Sequence, residues 1–199
     1  MKRFRSFFSL MLLACATSAF SQQPAPPAAS ASATIPVEAH QFDFLIGQWQ
    51  VDVHPKVSSL VAMIHGTPHI VGTWTAARAA DGLGIEDDLH IVDGSGNPIS
   101  SNHTVRAYDG AEQQWKVSGQ DAANKRGSES HGHLQGGVML LEGRYVDAQG
   151  NVTLTRTRYF DIAADSFRMQ QDRSTDNGQS WDEAVLTIDA KRTARAAGS

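Results

Sequence analysis

The residues best suited to chemistry are imidazole, carboxylate and guanidinium side chains at strand spacing. In Glu129-Ser130-His131-Gly132-His133 the carboxylate and both imidazoles alternate with small residues. On a β-strand that places Glu129, His131 and His133 on one face, about 6–7 Å apart along it. The spacing suits two ligands to one metal ion; it equally suits a solvated outer face. Arg156 and Arg158 share a face with Val152, Leu154 and Phe160. Turned inward, two guanidinium groups among apolar side chains would hold a carboxylate while the rest of the ligand lies in a cavity. With Thr153, Thr155, Thr157 and Tyr159 inward instead, the arginines stand in water. Register decides, because one residue of slip exchanges the two faces.

No catalytic set stands out. The chain has no Gly-x-Ser-x-Gly, no His-Glu-x-x-His and a single cysteine, Cys15, and Gly82-Leu83-Gly84 is too short for a phosphate loop. Glu86, Asp87 and Asp88 read as an acidic turn. Heme has one candidate axial ligand in His103, beside Val105, and no histidine follows His133. No cofactor is expected, with metal and heme kept as alternatives. Net charge is -4, from 17 Lys and Arg against 21 Asp and Glu, and the signs are interspersed. That pattern argues against a nucleic-acid surface, which needs a concentrated basic stripe.

The elements that must position these groups are strands. Leu45, Gly47, Trp49, Val51 and Val53 alternate with Gln48, Gln50 and Asp52, the period of a half-buried strand. Such a face needs further strands to bury it. Ile70, Gly72, Trp74 and Ala76 form a second apolar face, and Leu89 with Ile91 mark a third, closed by Asp93-Gly94-Ser95-Gly96-Asn97-Pro98. His103, Val105 and Ala107, then Trp115, Val117 and Gly119, flank Asp109-Gly110 as a hairpin. Strands over 128–134, 138–146, 152–160, 166–172 and 181–188 follow, separated by turn residues. Nine or ten strands and no convincing amphipathic helix predict an all-β, antiparallel closed barrel, since closure removes exposed edges; a two-sheet sandwich is the alternative.

The amino terminus predicts export. Met1-Lys2-Arg3-Phe4-Arg5 is basic, residues 6–14 are largely apolar, and Ala19-Phe20-Ser21 is a small-x-small cleavage site. Leu12-Leu13-Ala14-Cys15 offers the competing route, a lipid anchor through Cys15. Residues 1–21 thus read as a signal peptide and 22–39 as an Ala/Pro/Ser-rich linker. Residues 40–192 read as the barrel and 193–199 as a fraying tail. The expected location is the periplasm, with no transmembrane segment in the mature chain.

Phe42-Asp43-Phe44-Leu45-Ile46-Gly47-Gln48-Trp49 resembles the opening of secreted bacterial lipocalin-like domains of unknown function, calycin-type barrels with a Phe-Asp-Phe-aromatic-x-Gly-x-Trp start. Ser174-Thr175-Asp176-Asn177-Gly178-Gln179-Ser180-Trp181 resembles the Ser-x-Asp-x-Gly-x-x-Trp hairpin near the end of that group. The one departure is Leu45, where an aromatic residue is typical. The resemblance implies a barrel and export, and it carries no reaction with it. It also implies structural roles: Phe42, Phe44, Gly47 and Trp49 closing one end, and Asp176, Gly178 and Trp181 building the hairpin. In lipocalins an arginine from the last strands covers the tryptophan; here Arg168, Arg173 and Arg192 are the candidates, with Arg168 preferred.

Three functions follow as expectations. The first is a barrel binding a small apolar or amphipathic molecule, with an acidic ligand included, walled by Trp74, Trp115, Val117 and Leu154 and anchored by Arg156 or Arg158. The second is a small barrel enzyme or metal site at Glu129, His131 and His133. The third is an envelope interaction module with a filled core.

Overall fold

The computed structural model describes residues 35–147 and 149–194; the expected signal peptide, Cys15 and most of the linker lie outside them. Two 3₁₀ turns, Val37–His40 and Asp43–Leu45, precede the first strand. The strands are β1 (Gly47–Pro55), β2 (Ile70–Arg78), β3 (Gly84–Asp93), β4 (Pro98–Asp109) and β5 (Gln114–Asp121). They continue as β6 (Arg126–Gln135), β7 (Val138–Val146), β8 (Val152–Phe160), β9 (Ser166–Ser174) and β10 (Asp182–Ala194). Each strand pairs antiparallel with the next, and β1 also pairs with β10, so the sheet closes with ten strands. Such closure leaves no unpaired edge.

The predicted apolar faces of β1, β2, β3 and β5 turn inward: Trp49, Val51, Val53, Trp74, Ile91 and Trp115 are all buried. On β4 the expectation is overturned. Thr104 and Arg106 are buried, whereas His103, Val105 and Ala107 are exposed. The physical reason is a carboxylate on the neighbouring strand: Asp87, in phase with Ile91, is buried and takes Arg106 as its partner.

One end of the barrel is filled. Phe42 meets Trp115 edge-on at 4.9 Å and Tyr159 at 5.7 Å, while Phe167 meets Trp49 at 4.8 Å and Trp74 at 5.6 Å. These distances are those of favourable aromatic pairs. Gly47 enters β1 at φ 128°, a left-handed value that side chains disfavour, which lets the chain turn from the plug into the strand. Trp49 then donates its indole N–H to the Leu45 carbonyl at 2.7 Å. The arginine over Trp49 is Arg192, at 3.9 Å, not Arg168, which pairs with Asp189 at the exposed surface.

Ala39 is buried in the first 3₁₀ turn, and β10 runs to Ala194. The chain also forms an unexpected helix, α1 (Ser59–His65), between β1 and β2. Among the described residues no helix is long and apolar enough to cross a membrane.

Candidate functional site

The barrel encloses a cavity of about 760 Å³ between the aromatic plug and the opposite end. Pro55, Lys56, Val57 and Ser58, the stretch leading into α1, border it at that opposite end. Its lining mixes two kinds of side chain. Trp74 on β2, Leu89 and Ile91 on β3, Val117 on β5, Leu141 on β7 and Ile188 on β10 are apolar. Asn102 and Thr104 on β4, Ser128 and Ser130 on β6, and Thr157 on β8 add amide and hydroxyl groups between them.

At the plugged end stands a buried charged network. Arg106 is 3 % exposed and Asp87 1 %. Arg106 donates from Nε to Asp87 Oδ2 at 2.6 Å and from Nη2 to Asp87 Oδ1 at 3.2 Å, a two-point carboxylate grip. Trp74 adds its indole N–H to Asp87 Oδ1 at 2.7 Å, and Arg106 Nη1 donates to the Tyr159 hydroxyl at 3.3 Å. The guanidinium also lies 5.0 Å from the Phe42 ring centre and 5.6 Å from that of Tyr159. Burial alone would lower the Arg106 pKa, but the Asp87 carboxylate outweighs it and holds the group above its ordinary value. Burial likewise pushes the Tyr159 hydroxyl up, with Arg106 partly offsetting it, so the phenol keeps its proton.

The predicted anchors occupy other places. Thr157 and Tyr159 line the cavity, so alternation puts Leu154, Arg156 and Arg158 on the outer face. Arg156 and Arg158 are 49 % and 43 % exposed, paired with Glu142 at 3.4 Å and Asp172 at 3.3 Å. This corrects the expectation that they anchor a ligand inside. Apolar Leu154 and Phe160 do not pull their face inward because the opposite face already carries buried Thr153 and Tyr159. Of the predicted walls, Trp74 and Val117 line the cavity, while Trp115 is fully buried in the plug and gives its indole N–H to Gln41 at 3.1 Å.

Glu129, His131 and His133 share one face as expected, and all three are exposed. Glu129, His131, Leu154, Arg156 and Trp181 border a second, outer hollow of about 760 Å³. Within it Arg156 stacks on Trp181 at 3.8 Å. Among the described residues no three His, Cys, Asp or Glu side chains gather into a set that could hold a metal ion. His103 points away from the cavity and pairs with Asp88 at 2.9 Å. The hairpin residues act as turn chemistry: Ser174 Oγ and Ser180 Oγ donate to Asp176, and Gly178 sits at φ 85°.

The buried Asp87–Arg106 pair was not anticipated, although a signal for it exists. Asp87 lies in phase with Leu89 and Ile91, so an inward strand face carries a carboxylate that must find a cation.

No protein-family model matches the chain, and curated proteins give no match. Among solved structures, the chain is similar to EF1p2_mFAP2b bound to DFHBI, at 10% identity and a TM-score of 0.38, covering 78% of this chain and 99% of that one.

Proposed function

We propose that the protein is an exported binding barrel of lipocalin-like type that holds a small amphipathic molecule in its interior. The observation that carries this reading is the cavity of about 760 Å³ whose lining mixes apolar with polar side chains. Its size falls within the range of small-molecule sites, which run to about 300–1,000 Å³. A flat or ring-shaped molecule with polar edges meets both kinds of side chain at once. A simple hydrocarbon chain leaves the remaining hydrogen-bonding capacity of Asn102, Thr104 and Thr157 unmet, which is unfavourable. The basic and then apolar start of the chain supports delivery to the periplasm with cleavage after Ser21.

Native mass spectrometry of the protein recovered from its own envelope fraction tests the reading. The expected result is a bound organic molecule released on denaturation, a mature chain beginning at Gln22, and loss of the molecule in Leu89→Trp, which fills the cavity. A Leu89→Trp variant that folds and retains the molecule would place binding elsewhere and overturn the proposal.

A further inference from the structure

The proposed cavity reading leaves open what the closed end recognises, and the following inference rests on that reading. A guanidinium carries five N–H groups. Among the described residues three of those on Arg106 are taken by protein acceptors, two by Asp87 and one by Tyr159. Two donors therefore stay unmatched on a side chain that is almost wholly buried and that borders the cavity. Buried donors of this kind are costly without an acceptor. Tyr159 adds to them, since its oxygen accepts from Arg106 and its own proton is left to donate. Thr104, which accepts from Asn102 at 3.1 Å and is 4 % exposed, brings a second hydroxyl donor to the cavity lining.

We infer that Arg106 and Tyr159 form a recognition site for a neutral hydrogen-bond acceptor, a carbonyl or a comparable ring oxygen or nitrogen, carried by the molecule in the cavity. The acceptor is neutral because Asp87 already compensates Arg106. A carboxylate placed there would bring a second buried anion beside Asp87 without a cation of its own. The apolar side chains of Trp74, Leu89 and Ile188 then pack the face of the ring that carries the acceptor. The site thus selects by hydrogen-bond donation at one end and by apolar contact along one side.

Three matched naphthalene probes test the inference: the ketone prodan, the corresponding naphthoate, and the dimethylaminonaphthalene lacking the ketone. Binding is followed through energy transfer from the protein's tryptophans and the carbonyl stretch of bound prodan. The expected result is tightest binding of the ketone, by about tenfold over each of the other two, as one charge-assisted hydrogen bond provides. The bound carbonyl stretch should lie below its value in hydrocarbon solvent. Tyr159→Phe, which keeps the ring and removes only the hydroxyl donor, should reduce the ketone's advantage measurably while Arg106 still donates, and should leave the ketone-free probe unchanged. Equal binding of all three probes, or an unshifted carbonyl stretch, overturns the acceptor site while sparing the cavity reading. A naphthoate that binds tightest overturns the neutral specificity. Failure of every probe to bind, with no molecule retained by the native protein, overturns both.

Discussion

The Arg192 guanidinium lies 3.9 Å from the centre of the Trp49 ring while donating to the carbonyls of Ile46 at 2.6 Å and Phe44 at 3.0 Å. The last strand thereby reaches across to the first and ties down the segment that plugs the barrel. Its Nε also donates to the Ala164 carbonyl at 2.8 Å, so one side chain joins three separate stretches of chain. A planar fork with donors on several edges can do this; an ammonium on a flexible stem cannot hold the same directions.

Arg192→Met should therefore destabilise the barrel by about 2–4 kcal/mol, from lost charge-assisted hydrogen bonds and the lost ring contact. Arg192→Lys should recover less than half of that. Urea denaturation followed by tryptophan fluorescence measures both. An Arg168→Met change, at an exposed ion pair, should cost less than about 1 kcal/mol, and the reverse ranking would show that Arg168 is the covering residue.

The strands were largely legible because turn residues punctuate them and because most inward faces are apolar. Val138–Val146 and Val152–Phe160 lie where the alternation placed them. Legibility failed where the wall borders a cavity instead of packed side chains. On β4 and β8 the inward residues include Thr104, Arg106, Thr155 and Thr157, while Val105 and Leu154 lie outside, so the apolar-inside rule selects the wrong face. Helix α1 failed for a different reason. Leu60, Met63 and Ile64 are exposed, so this helix offers no polar outer face for periodicity to detect. The Ser58-Ser59 pair before an apolar run was the available sign of a helix start.

Asp87 and Arg106 should behave as one unit. Removing only the cation, as in Arg106→Met, leaves a buried carboxylate unpaired and should cost about 3–5 kcal/mol. Combining Arg106→Met with Asp87→Leu should recover most of that loss, since a neutral pair of similar volume removes the desolvation problem. A double-mutant cycle by equilibrium unfolding measures the coupling. Simple additivity of the two changes would mean that the pair contributes no more than two independent contacts.

Arg156 and Arg158 stand on the outer face, and their ion pairs are partly exposed. Replacing both with Gln should leave probe binding in the cavity within about twofold of wild type, since neither side chain borders it and outer ion pairs contribute little. Fluorescence titration of prodan against the double variant decides this. A loss of binding larger than tenfold would put the arginines back at the ligand.

Asp176 gives the hairpin a defined acid sensitivity. The Ser180 hydroxyl, the Ser180 backbone N–H and the Ser174 hydroxyl all bond to its carboxylate, which holds its pKa down to about 2. An unfolded aspartate titrates near 4. Because the folded value is the lower one, the stabilising contribution is fully present above the unfolded value. It is lost as the pH falls from about 4 through about 2. The carboxyl carbon shift of Asp176, followed by NMR across that window, should give a midpoint near 2 in the wild type. Ser180→Ala, which removes the first of these donors, should move the midpoint upward toward the ordinary range. Amide exchange in residues 174–181 should quicken over the same pH window. A wild-type midpoint near 4 would mean that the serine hydroxyls and the amide do not hold the carboxylate, and the hairpin would then owe its shape to the backbone bonds that Ser174 Oγ accepts, to Gly178 and to the Arg156–Trp181 stack.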